Sequence, residues 1–151
     1  MYFIERTLFI KKKIRNIDMN KKVLVTVEYG EDNTYSCYSE TPIGDYVLID
    51  GDGATVAEAK KDFLNAVKEC QEAYPDDDRY KDLTFEYKYD LRSFFNYFSF
   101  LNISEVAKRA GINTSLMHQY TSGVKNAGEK TYERLSLCME DIKKELQVAR
   151  F

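Results

Sequence analysis

LNISEVAKRAGINTSLMHQYTSG, residues Leu101 to Gly123, has spacings that fit two short helices joined by a tight turn better than one continuous amphipathic helix. Asn102 stands where a side chain can accept from the free backbone N–H groups of a helix start, and Glu105, three residues on, can reach back as in a capping box. Val106, Ala107 and Ala110 then fall on one face, with Ala107 small enough for a second helix to cross closely, and Lys108 and Arg109 are left outside. Gly111 can take the positive φ that ends a helix sharply, and Asn113 can cap the next helix two residues later. In that second helix Met117 and Tyr120 face inward with Ile112. Thr114, Ser115, Leu116, His118 and Gln119 remain on the outer surface, where small and hydrogen-bonding side chains suit the reading of base edges. An ordinary αα-hairpin in a helical core is the alternative reading of the same spacing.

The stretch resembles the Cro and lambda-repressor type of helix-turn-helix in its small Ala107, turn Gly111, aliphatic Ile112 and Met117, and Gly123 after the second helix. On this reading a dimer sets two recognition helices in successive major grooves, with Thr114, Ser115, His118 and Gln119 at base edges and Leu116 against a thymine methyl. Ser122 and Lys125 hold the DNA backbone. His118 is the single histidine of the chain, and a catalytic pair would have to be built around it in the middle of this helix. It is therefore read as a base or phosphate contact, the alternative being an exposed residue without a role.

Upstream, Asp90 begins DLRSFFNYFSF, in which Leu91, Phe94, Phe95 and Phe98 form an apolar stripe for a helix packed behind the pair. Downstream, Val124 to Gly128 is a loop, and Tyr132, Leu135, Met139, Ile142 and Leu146 recur three or four apart on a helix long enough to supply a dimer surface.

The preceding part reads differently. KVLVTVEY, from Lys22 to Tyr29, is rich in β-branched residues, and Gly30 to Asn33 supplies turn residues before a second strand, TYSCYSE. Thr41 to Asp45 makes another turn, after which YVLID reads as a third antiparallel strand ending in a loop, Gly51-Asp52-Gly53. Thr55 and Glu58 form a capping box for a helix with Val56, Ala59, Phe63, Ala66, Val67 and Cys70 at helical spacing, running to about Tyr74. Pro75 and the run Asp76-Asp77-Asp78 break it, and LTFEYKY alternates as a fourth strand. The expected fold class is α+β: a βββαβ domain over residues 19–89, then an all-α domain over residues 90–151.

Residues 1–18, MYFIERTLFIKKKIRNID, put their apolar part before the lysines and interrupt it with Glu5 and Arg6, the reverse of a secretory signal. Met19 precedes a clean strand pattern and is the expected natural start, which makes this segment an upstream extension. Otherwise it is a basic helix or strand at the edge of the first domain.

With 44% hydrophobic and 31% charged residues, the chain has the balance of a globular protein rather than a disordered one, and no apolar run has the length of a membrane span. Cys37, Cys70 and Cys138 are odd in number and far apart, so neither a zinc site nor a disulfide framework is indicated, and a cytoplasmic location is expected. The net charge of −3 conceals a division. Residues 1–18 hold 5 basic and 2 acidic residues, residues 19–90 hold 8 and 17, and residues 91–151 hold 9 and 6. The balances are +3, −9 and +3, so the helix-turn-helix half is basic and the strand half acidic.

A βββαβ unit joined to a helix-turn-helix resembles the HicB family of antitoxins, from about Lys22 onward. The matching points are the strand TYSCY, the G-x-T-x-x-E-A start at Gly53, Thr55, Glu58 and Ala59, and the Asn-Ile-Ser-Glu entry to the paired helices. The resemblance implies that the first domain is a partial ribonuclease-H-like unit that binds and blocks a small mRNA-cleaving toxin, HicA. It also implies that the second domain binds operator DNA and represses the chain's own operon. A −9 domain suits the RNA-binding face of a basic ribonuclease, and a +3 domain suits DNA.

Catalysis is not expected. Glu28, Asp32, Asp50 and Asp52 lie near strand ends, where a nuclease of that fold would hold metal ions, but their spacing matches no ligand set. Asp50-Gly51-Asp52-Gly53 fails as a calcium loop, because Ala54 and Lys61 stand where further oxygen ligands are needed. The twelve tyrosines are concentrated in strands, which points to β-propensity and packing rather than base stacking. The expected protein is thus a non-enzymatic antitoxin and repressor without metal or cofactor, forming a homodimer or higher oligomer away from membranes. The alternatives are a stand-alone transcription regulator whose first domain binds a small ligand, and a nuclease.

Overall fold

A computed structural model of the chain describes residues 21–45 and 48–151, arranged as an α+β fold with a four-stranded mixed sheet. The N-terminal segment 1–18, Met19, and Tyr46 and Val47 of the expected third strand lie outside the described residues.

β1 (Lys21–Tyr29) alternates as its sequence demands, burying Val23, Val25 and Val27 on one face of the sheet. The turn to β2 (Tyr35–Ser39) closes through the Gly30 N–H to the Thr34 carbonyl at 2.8 Å, and Asp32 accepts from the Thr34 amide and hydroxyl. Asn33 takes the left-handed conformation that this turn needs, at φ 64°.

β3 differs from the expectation. The strand is Asp50–Gly53, antiparallel to β2 with Cys37 opposite Gly51 and Tyr35 opposite Gly53, so the glycine pair is ladder rather than loop. Ile49 extends the pairing, donating its N–H to the Ser39 hydroxyl at 3.1 Å and accepting from the Ser39 amide at 3.0 Å. The cause is the helix above. α1 (Val56–Ala73) crosses so closely that a Cβ on Gly51 would stand 2.1 Å from the Phe63 nitrogen, and one on Gly53 would stand 2.6 Å from the Ala59 nitrogen. Glycines that look like turn punctuation in sequence are required here by helix-on-sheet contact.

Thr55 caps α1 as expected, accepting from the Glu58 amide at 3.2 Å, and Glu58 reaches back to the Ala54 amide at 2.8 Å. Val56, Ala59, Phe63 and Val67 turn onto the sheet and complete the first buried cluster with the β1 valines, Tyr35, Cys37 and Tyr80. β4 (Leu83–Tyr89) returns parallel to β1, giving the order β3-β2-β1-β4. A hairpin cannot make that pairing, and the crossover through α1 does. The opposite face carries Glu28, Glu40, Asp50, Asp52 and Glu86 against Lys22 and Lys88.

Four helices follow: α2 (Leu91–Tyr97), α3 (Ile103–Arg109), α4 (Thr114–Thr121) and α5 (Glu129–Val148). Leu91, Phe95, Val106, Ala107, Ile112, Met117 and Leu135 form a second buried cluster. The expected α2 stripe is shared between the two halves: Leu91 and Phe95 enter the helical cluster, Phe98 packs edge-on against Tyr89 of the sheet, and Phe94 meets both.

α2 also ties the clusters together. Asp90 accepts from the Ser93 amide that starts the helix and from the Tyr29 amide that ends β1, and Asn96 accepts from the Val56 amide at the start of α1. The Lys60 ammonium lies over the rings of Tyr87 and Tyr97 at 3.9 and 4.1 Å and donates to the Tyr89 hydroxyl. Burial drives the Tyr89 phenol well above its ordinary pKa.

Candidate nucleic-acid interface

α3 and α4 are set by local chemistry. Asn102 accepts from the Glu105 amide at 3.1 Å and Asn113 from the Leu116 amide at 3.0 Å, one cap for each helix. Glu105 does not complete a capping box: its carboxylate takes the Lys108 ammonium at 2.7 Å, a contact one turn along the same helix. Gly111 has φ 68° and open space around its Cα, and the Ile112 amide returns to the Ala107 carbonyl at 2.8 Å. Ala107 and Met117 are both 0% exposed, the small residue admitting the large one where the helices cross.

α5 holds this pair from behind. Arg134 donates to the Gly111 carbonyl, and Arg109, on the outside as expected, is bonded to Glu145.

The sequence-derived contact residues divide by position. Ser115, His118, Gln119, Ser122 and Lys125 are exposed, whereas Thr114 and Leu116 are half-buried. Two of them are already engaged. His118 Nε2 lies 3.1 Å from the Ser104 hydroxyl of α3, and the Ser122 hydroxyl donates to the Gln119 carbonyl at 3.2 Å. The Lys125 amide also closes on the Gln119 carbonyl, at 3.1 Å, which fixes the backbone from which its side chain leaves α4.

Sequence reasoning missed the surroundings of α4. A groove of about 560 Å³ runs along its C-terminal half, lined by His118, Gln119 and Ser122 on one side and by Tyr35, Arg92 and Asn96 on the other. Tyr35 belongs to β2, roughly eighty residues earlier, so no local pattern could have brought it here. Arg92, a lone cation within an aromatic helix, was the available signal.

The acidic residues considered for catalysis are dispersed. Asp32 serves the first hairpin, where its hydrogen bonds to Thr34 hold its carboxyl below the usual range, and Asp52 accepts from Ser36. Among the described residues no group of three or more His, Cys, Asp or Glu side chains is placed to hold a metal ion, and no helix is long and apolar enough to cross a membrane. In comparisons with known proteins, no protein-family model, no curated protein and no solved structure matches the chain.

Proposed function

We propose that the chain is an antitoxin of the HicB type, which blocks a basic mRNA-cleaving toxin with its strand half and represses its own operon with α3 and α4. The observation that carries the DNA-binding part is the contrast along α4: Met117 is fully buried against Ala107, while Ser115, His118 and Gln119 stand on the exposed side. α3 and α4 with the intervening Gly111 form the helix-turn-helix in this reading, and the sheet with α1 is the partial ribonuclease-H-like unit. Its face away from α1, five carboxylates against two lysines, is suited to the RNA-binding surface of the toxin. A homodimer through α5 would bring two recognition helices onto one operator. Leu146, 68% exposed and one turn beyond the half-buried Ile142, supports that role for the far end of the helix.

Co-expression with the product of the adjacent gene tests the antitoxin. Relief of growth arrest and co-purification of a complex are expected, and neither occurring would refute it. A stand-alone regulator with a ligand-binding first half is the second reading. It is favoured by a groove of about 800 Å³ between Thr26, Tyr38 and Tyr89 of the sheet and Tyr132 and Met139 of α5. A small molecule that alters DNA affinity, with no toxin encoded nearby, would decide for it.

A further inference from the structure

We propose that Arg92 and the groove beside the C-terminal half of α4 bind a backbone phosphate of duplex DNA, so that residues outside the paired helices position the chain on its target. This rests on the DNA-binding reading above and extends it to α2 and the sheet.

The groove has the chemistry of an anion site in a chain of net negative charge. None of its lining residues is an aspartate or glutamate. Its cation is Arg92, and among the described residues no carboxylate forms an ion pair with it. Other arginines of the chain are neutralised in this way, Arg79 by Asp45 and Asp77 and Arg109 by Glu145. Asp90, the nearest carboxylate in sequence, is engaged by the Ser93 and Tyr29 amides.

Arg92 is also held in place. Its guanidinium carbon lies 3.4 Å from the centre of the Tyr29 ring, so that ring covers one face. The Tyr35 hydroxyl on the groove wall takes one of its donors, and the guanidinium has further in-plane N–H groups for the contact that a phosphate accepts. One of its terminal nitrogens lies 3.2 Å from where a Cβ on Gly123 would stand, which puts the guanidinium beside the backbone that leaves α4. Asn96 adds a donor. Its carbonyl oxygen accepts from the Val56 amide, which assigns the amide group and leaves the NH2 end free to donate. When a recognition helix lies in the major groove, the phosphate backbone passes its ends, and contacts there set register without reading sequence.

The test uses the full chain, a labelled mixed-sequence duplex of about thirty base pairs, and a KCl series. Arg92→Gln should weaken binding about tenfold at low salt and reduce the slope of log K against log salt by about 0.9, the value for one phosphate on duplex DNA. Arg92→Met, which keeps an unbranched stem without the charge, should behave alike, and the melting temperature of each variant shows that it is folded. Unchanged affinity and slope in both variants, with wild-type protein binding normally, overturns this proposal and leaves the DNA-binding reading standing. Failure of the wild-type chain to bind any duplex overturns both. Titration with inorganic phosphate, followed by the Arg92 side-chain resonances, separates the two anion sources. Saturation at micromolar phosphate with an unaltered salt slope in Arg92→Gln would assign the groove to a free anion and overturn the proposal.

Discussion

Gly51 lies directly beneath the backbone of Phe63: a Cβ added to Gly51 would stand 2.1 Å from the Phe63 nitrogen and 2.6 Å from its Cα. Neither a strand backbone paired on Cys37 nor a helix backbone can yield as a side chain does. Gly51→Ala should therefore destabilise the chain by about 3 kcal/mol, the upper part of the overpacking range. Gly111→Ala, with φ 68° but nothing within 4 Å, should cost only about 1 kcal/mol for the left-handed backbone. Denaturant unfolding of both variants checks the order. A Gly111→Ala cost equal to that of Gly51→Ala would show that the helix-on-sheet contact is not what demands the glycine.

At α4 the side chains separate two kinds of DNA contact. Gln119→Ala should relax base preference, whereas Lys125→Ala should weaken binding to all sequences alike and lower the salt slope by about one. Binding to a panel of duplexes over a salt series distinguishes them, and equal loss of specificity from both changes would remove the assignments.

The three cysteines should differ sharply in reactivity. Cys37 is fully buried and its thiol is pushed up to about 11 by that burial; burial also raises the thiols of Cys138, which is buried, and of Cys70, which is the most accessible of the three. Iodoacetamide at pH 8 should add one label per folded chain, at Cys70, and three after denaturation, as read by intact and peptide mass spectrometry. The folded state keeps Cys37 protonated more strongly than the unfolded chain does. Its contribution to stability is therefore intact below about pH 8.5, the ordinary thiol value, and is lost as pH rises towards 11.

Arg79 predicts an acid effect of the opposite sign. Its guanidinium donates to Asp77 and Asp45, holding the Asp77 carboxyl at about 2 and the Asp45 carboxyl below the usual range. Folding favours the ionised carboxylates, so this stabilisation is complete above the ordinary aspartate pKa of about 4 and fades as pH falls through the lowered value. Arg79→Ala should lower the melting temperature at pH 6, and the gap to wild type should narrow between about pH 4 and pH 2. Because Arg79 and Asp45 are exposed and Asp77 only half-buried, the gap should also shrink in high salt.

What could be read from the sequence here was local in its chemistry. Thr55, Asn102 and Asn113 each accept from an amide three residues ahead, and Gly111 needs a positive φ because of its own turn, so caps and helix limits follow from neighbours within one turn. The buried faces of β1, α1 and α4 follow in the same way from periodicity. Even among local contacts, Glu105 departed from the pattern, since a lysine one turn ahead competes for it.

Tertiary structure alone decided where β3 pairs, that β4 joins β1 in parallel, and that Arg92 and Tyr35 stand beside α4. The reason is that these depend on which backbones and side chains meet across long separations. YVLID is the better strand former by composition, yet the ladder includes Asp50–Gly53 because only glycine admits α1 at Gly51 and Gly53. Periodicity gives each element a buried face, whereas packing geometry selects the element that covers it and the polar residues that it brings together.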